Sequence, residues 1–290
     1  MTAMSVALAT YAGLPEGDEC TVALVAALAR LGIAAEAVVW DDPAAGWDRH
    51  DLVVVRSTWD YTLRREEFLA WAGAVPRLFN GVDVLRWNTD KRYLRELTAA
   101  GVPVVETRWD LDEVPADWDE YVIKPAVSAG SADTARWRRA EREAARAHLH
   151  HLRSAGRTVM VQPYLSAVDT AGETALVFCD GEFSHAARKG PILTAGSGVQ
   201  AAMDHDADPR EQISPAEATA AELDVARQAL AAVRTALGSD DLLYARVDVI
   251  PGADGSPVLL ELELTEPSLF LRHAPGAADR FARAIAARRP

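Results

Sequence analysis

The chain has 290 residues, 49% of them hydrophobic, which suffices for two domains with real cores; its net charge of −13 disfavours broad binding to nucleic acid or an anionic membrane. Its two cysteines, Cys20 and Cys179, cannot assemble a disulfide framework or a cysteine zinc site, and no stretch approaches the ~20 apolar residues of a membrane span. With no basic and then apolar leader segment, the expectation is a cytoplasmic protein whose partner is a small molecule.

Residues 5 to 11 read as a buried strand, and 18 to 32 as a helix capped by Asp18 and closed by Gly32. Residues 35 to 40 and 51 to 55 read as two further strands, and an amphipathic helix begins near Arg64. The first ~85 residues therefore read as a doubly wound α/β domain, in which ligands gather at strand C-termini. RSTWDY, residues 56 to 61, is then a candidate substrate loop; the alternative is a loop whose Trp59 and Tyr61 pack locally. NTDKRYLRELTAAG, 88 to 101, has an N-cap candidate, a helical apolar rhythm and a terminal Gly, and opens a second domain. A strand at 121 to 125 runs into Lys124-Pro125 and a small-residue loop. A charged helix (138 to 155) and a strand (158 to 165) follow. From 172 the pattern changes to hairpins, the first turning at Asp180-Gly181. Residues 194 to 212 read as a mobile loop that could act as a lid, 215 to 238 as a long helix, and 276 to 288 as the last helix.

The segment LLELELTEPSLF, 259 to 270, places Glu261 and Glu263 on one face of a leucine-rich strand. LLYARVDVI and PVLLELELT flank Asp254-Gly255, a signal for a two-residue hairpin turn. That turn sets Asp248 opposite Glu261 and Arg246 opposite Glu263, with Leu260, Leu262 and Leu264 on the core face. Opposed carboxylates ~5 Å apart cost roughly 3 kcal/mol per pair at an effective dielectric near 20. Three of them need more compensation than one arginine gives, and oxygen ligands of this kind suit Mg²⁺. The alternative is a solvated polar face on which Arg246 pairs with Glu263 and Asp248 meets water.

Neither GxxxxGK[ST] nor GxGxxG is present. The ordered series is an α/β domain, a helix with Asp90-Lys91, a strand ending at Lys124, a strand ending at Gln162-Pro163-Tyr164-Leu165, then RVD and ExE. It resembles the ATP-grasp superfamily of carboxylate–amine ligases across nearly the whole chain. More closely, VVVRSTWDY, WNTDKRYL, VSAGS, ETALVF and LTEPSLF resemble the actinobacterial ATP-grasp group that includes the cyclo-ligase of D-cycloserine biosynthesis. The resemblance implies an ATP-grasp fold of mixed α/β and α+β class. An N-terminal doubly wound α/β domain (1–87) would precede two α+β subdomains, 88–165 and 166–290, clasping ATP.

Carried over by position, the resemblance implies that Lys91, Lys124 and Lys189 contact ATP phosphates and that Ser128 belongs to the ATP-binding set. Gln162, Tyr164 and Leu165 would read adenine, although many relatives carry Glu where Gln162 stands, and Asp169 would hold the ribose. Asp248, Glu261 and Glu263 would ligate Mg²⁺; Glu263 departs from the Asn that commonly ends the motif. Arg56, Ser57, Tyr61, His185 and Arg188 are candidate substrate contacts, and Arg246 and Lys189 are candidate catalytic residues. The implied reaction activates a small amino-acid-like carboxylate as an acyl phosphate, with ADP released, and then forms a C–N bond. The nitrogen belongs either to the same molecule, closing a ring, or to a second amino acid or peptide. A small-molecule kinase is the alternative from another class, and a homodimer is the expected assembly of the family.

Overall fold

The computed structural model describes residues 4–193, 195–200, 212–239 and 241–288. Strand β1 (Ser5–Thr10), helix α1 (Glu19–Arg30), β2 (Ala34–Val39), β3 (Leu52–Ser57), α2 (Arg65–Ala74) and β4 (Leu78–Phe79) form a parallel sheet in the order β2-β1-β3-β4. Asp18 caps α1, its carboxylate accepting from the Thr21 N–H at 2.8 Å. Every residue of β3 is buried, because the sheet is covered on both faces: Leu52 and Val54 join the core under α1, and Val53 and Val55 the core under α2. The strand runs two residues past the expected end, which carries Arg56 and Ser57 into the sheet.

The continuous helix expected over 88 to 101 is two short ones, α3 (Val82–Asn88) and α4 (Tyr93–Ala99). Asn88 ends the first instead of capping the second, its amide being committed elsewhere. A second sheet follows, with β5 (Arg108–Trp109), β6 (Glu120–Pro125), β7 (Ala135–Arg138), α5 (Arg142–Ser154) and β8 (Val159–Pro163). Its order is β5-β8-β6-β7, all pairs antiparallel, with α5 packed on one face through Ala145, Leu149 and Leu152.

After the short α6 (Val168–Ala171) come β9 (Glu173–Cys179), β10 (Glu182–Lys189), β11 (Ile213–Ala216), α7 (Ala220–Leu237), β12 (Tyr244–Pro251), β13 (Pro257–Glu263) and α8 (Ala277–Ala287). The five strands form an antiparallel sheet ordered β11-β10-β9-β12-β13, with α7 on its core face. The long helix starts at 220 and not 215: Thr219 and Glu222 form a reciprocal cap, and Ile213–Ala216 pairs with β10 as an edge strand. Most of the expected lid, 194 to 212, lies outside the described residues. Helix α8 returns to the first sheet and packs against α1.

The β12–β13 hairpin does not turn in two residues. Gly252 N–H donates to Ser256 O at 2.7 Å and Gly255, at φ +84°, completes a loop over Ala253, Asp254 and Gly255. A β-bulge between Asp248 and Val249 then restores the register, so that Asp248 still faces Glu261 and Arg246 faces Glu263. The bulge turns Leu260 away from the core that buries Leu259, Leu262 and Leu264; Leu260 packs instead with Val105, Val168 and Ile250 beside the cavity.

The free edge of β13 is closed by side chains. Asn88 Nδ2 donates to Leu262 O at 2.8 Å and its Oδ1 accepts from Leu264 N–H at 2.7 Å, while Tyr93 Oη accepts from Leu262 N–H at 2.9 Å. Asn80 likewise donates to Leu264 O at 2.6 Å and accepts from Leu243 N–H at 2.8 Å. Leu259 exchanges backbone bonds with Pro103 and Val105.

Candidate active site

The three sheets enclose a cavity of about 600 Å³, within the range of small-molecule sites. The first contributes Tyr11, Trp59 and Tyr61 just past the C-terminal ends of β1 and β3, where an open α/β sheet presents ligand-facing loops. The second contributes Lys124, the small-residue loop from Ser128 to Thr134, and Gln162, Tyr164 and Leu165. The third contributes Glu173 and Lys189 from the β9–β10 pair and Arg246, Asp248, Glu261 and Glu263 from the final hairpin.

Lys91 Nζ donates to Ser128 O at 2.7 Å and lies 3.0 Å from Glu261 Oε1. Lys189 Nζ lies 3.0 Å from Glu173 and 3.1 Å from Asp248. The Arg246 guanidinium meets Asp248 with two bonds of 2.9 Å, also bonds Glu263, and donates to Ser268 O at 3.1 Å. Each cation therefore already holds a carboxylate, which is how so many charges share a largely buried site.

Burial opposes ionisation of Asp248, yet Arg246 and Lys189 hold its carboxyl below the usual range. Glu261 is likewise held down, against burial, by Lys91 and Lys124. Glu263 goes the other way: burial, only partly offset by Arg246 and reinforced by Glu261 and Asp248, pushes it up to about 7. Burial lowers the Lys124 ammonium, with Glu261 opposing. Glu263 is thus the carboxylate of the cluster that its cations compensate least.

Its oxygen set suits a hard divalent cation, and such an ion would offset the repulsion that Glu261 and Asp248 exert on Glu263. Among the described residues, however, no three acidic side chains already converge as a metal cage. Asp248, Glu261 and Glu263 all line the cavity, and each is turned towards lysine or arginine.

Not every candidate joins the cavity. Arg56 is fully buried, donates to Pro267 O at 2.8 Å and stacks against Tyr244 and Phe281; it ties the first sheet to the third and does not line the cavity. Ser57 is bonded to Thr10 Oγ1 at 2.9 Å inside the sheet. His185 is held between Ser184 Oγ and Leu269 O, and Arg188 donates to Thr174 Oγ1 at 2.6 Å; neither lines the cavity. Asp169 also lies off the wall, bonded to the Tyr164 hydroxyl and 3.2 Å from Arg136. Of the substrate candidates only Tyr61 remains on the wall.

Glu173 and Glu266 are among the wall residues that escape the sequence reading. Glu173 reaches Lys189 because a bulge between Phe183 and His185 shifts the β9–β10 register by one, which the Asp180-Gly181 turn alone does not reveal. Glu266, buried on the cavity wall, lies beyond the end of β13; its only sequence signal is a third glutamate next to Pro267 in LTEPSLF.

The arrangement matches solved structures over the whole chain. The ATP-grasp ligase PsnB, in a complex containing a precursor variant, Mg and ADP, superposes with a TM-score of 0.63 at 18% identity over 99% of each chain, a likeness of fold. Fold and relatives together define an ATP-grasp ligase, an ATP-dependent enzyme. A family model described as the N-terminal domain of D-cycloserine synthetase DcsG matches residues 6–80. The cycloserine biosynthesis protein DcsG of Streptomyces lavendulae is 39% identical, with 91% of this chain and 92% of that one covered. The crystal structure of D-cycloserine synthetase DcsG superposes with a TM-score of 0.87 at 38% identity, over 99% of this chain and 100% of that one. The chain belongs to the DcsG family of ATP-grasp ligases.

Proposed function

We propose that this ligase activates the carboxylate of a small amino-acid derivative and closes a ring through a nitrogen of the same molecule, as in D-cycloserine formation. The observation that carries this reading is near-complete alignment at 39% identity with a cycloserine biosynthesis protein, combined with a cavity that gathers Lys91, Lys124, Lys189 and Arg246. A substrate carboxylate oxygen attacks the γ-phosphorus of ATP and ADP leaves. The nitrogen then attacks the acyl carbon, phosphate leaves, and the nitrogen loses a proton.

In this reading the lysines hold the triphosphate and Arg246 faces the transferring phosphoryl group, so the protein contributes position and charge and no covalent nucleophile. Gln162, Tyr164 and Leu165, with Leu260 and Ile250 beside them, form the adenine end. Asp248, Glu261 and Glu263 would hold Mg²⁺, which neutralises phosphate charge when bound. Loading the cavity would replace each lysine–carboxylate pair by a lysine–phosphate and a carboxylate–metal contact.

The test is an ADP-release screen over D- and L-amino acids and O-substituted serines, including O-ureido-serine, with and without hydroxylamine. Ring closure requires turnover with one amino acid supplied alone, and hydroxamate formation when hydroxylamine is present. A strict need for a second amine would assign the enzyme to intermolecular amide synthesis; phosphorylated product without hydroxamate would make it a kinase.

A further inference from the structure

Every carboxylate on the cavity wall but one meets a basic side chain among the described residues. The four acids of the cluster do so through Lys91, Lys189 and Arg246, and Asp60 and Asp133 do so through Arg64 and Arg157. Glu266 has no ion-pair partner among the described residues, although it is only 9% exposed. Its neighbours are the Tyr61 hydroxyl, a hydrogen-bonding partner, and Trp59, whose indole N–H donates to the Glu266 backbone carbonyl at 3.3 Å. Tyr11, its ring 6.4 Å from that of Trp59, lines the same part of the wall.

A buried carboxylate without a cation is costly, and proteins seldom retain one unless something arrives to pair with it. The aromatic faces beside it favour a compact organic cation over a hydrated metal ion, which would need several more oxygen ligands. We propose that Glu266, with Tyr11, Trp59 and Tyr61, is the recognition site for the protonated amino group of the substrate. This rests on the reading of the substrate as an amino-acid derivative.

The wall is complementary to such a molecule. Glu263, the like charge that acts most strongly on Glu266, is itself bonded to Arg246, so the ammonium and carboxylate ends of an amino acid meet opposite charges in one cavity. Burial and Glu263, opposed by Lys91, push the empty site's Glu266 up to about 8, with Tyr61 and Glu261 as the other groups acting on it. An arriving ammonium reverses that shift and leaves an ion pair shielded from water.

The test compares wild type with Glu266→Gln, which keeps the shape and a hydrogen bond to Tyr61. The readouts are steady-state kinetics and calorimetric binding of the amino-acid substrate in the presence of a non-hydrolysable ATP analogue. The variant should raise KM and Kd for the amino-acid substrate about thirtyfold or more. Affinity for the ATP analogue should move less than about threefold, which also reports that the variant is folded. A matched carboxylate lacking the amino group should bind wild type poorly and the variant no worse.

Unchanged substrate KM with only kcat reduced would make Glu266 a proton acceptor and overturn the proposal. Equal losses for the aminated and des-amino ligands would reduce Glu266 to a structural role and overturn it as well. If wild type binds the ATP analogue but activates no amino-bearing carboxylate, the amino-acid reading itself fails and the recognition site fails with it. If wild type turns over an amino acid while the variant does so equally well, only the recognition site fails.

Discussion

The ionisation of Glu266 predicts a pH dependence of folding stability that needs no substrate to observe. Its carboxyl is pushed from an ordinary 4.5 up to about 8, chiefly by burial. At ~1.4 kcal/mol per pH unit this corresponds to a ceiling of about 5 kcal/mol, and water entering the open cavity should screen it to about 2–3 kcal/mol. The folded protein keeps this proton to a higher pH than the unfolded chain does. The associated stability is therefore full below about pH 4.5 and is lost as pH rises to about 8. Glutamine at this position is neutral throughout. In urea denaturation of nucleotide-free protein between about pH 5 and pH 9, the stability difference between wild type and Glu266→Gln should shift against wild type by about 2–3 kcal/mol. Glu263 is present in both proteins, so the comparison reads Glu266 together with its coupling to Glu263. A difference that stays flat to within about 0.5 kcal/mol across this range would refute the electrostatic reading of the wall.

Other substitutions probe separate parts of the architecture. Arg246→Met should destabilise the nucleotide-free protein by about 3–5 kcal/mol, because it strips Glu263 of its ion-pair partner and leaves Asp248 with Lys189 alone, and should lower kcat/KM by about a hundredfold or more; denaturation and ADP release measure the two. Lys91→Met and Lys189→Met should each weaken binding of an ATP analogue with Mg²⁺ by about tenfold or more, read by calorimetry. The bulge in the final hairpin is tested by neighbours of one side-chain type: Leu262→Ala should cost about 2–5 kcal/mol of stability. Leu260→Ala should cost about 1 kcal/mol or less while raising the Kd for the ATP analogue several-fold, and the reverse pattern would place Leu260 in the core. Arg56→Met should lower the melting temperature and leave the KM for both substrates within about twofold, since the guanidinium reaches Pro267 and not the cavity.

The final hairpin shows how the sequence can be read correctly for an incomplete reason. A two-residue turn at Asp254-Gly255 predicts Asp248 opposite Glu261, and the structure has that pairing. It does so with a longer turn whose extra residue is offset by a bulge, so the charged positions agree while Leu260 does not. Alternation along a strand is legible because the pleat imposes it; a bulge is decided by tertiary fit and leaves little local trace. The same limit hides Glu173. The loss of Arg56 and Ser57 from the site has another cause: β3 extends by two buried residues, so the ligand-facing loop begins at Trp59 and only Tyr61 of the expected group reaches the cavity. Periodicity locates a strand well, but its end depends on what the last residues find to pack against. Lys91, Lys124 and Lys189 are singled out by the resemblance and not by local pattern, and all three line the cavity, Lys91 between two short helices and Lys124 near the end of β6.

The asparagine bonds along β13 have a mechanical meaning. An edge strand normally offers its amides and carbonyls to any passing chain, and here Asn80, Asn88 and Tyr93 occupy them from the N-terminal side of the molecule. The strand that carries Glu261 and Glu263 is thereby bolted to the segment from Asn80 to Tyr93, and its register cannot slip without breaking those bonds. Holding the register holds the chemistry, because a slip by one residue would turn Glu261 and Glu263 to the opposite face of the strand.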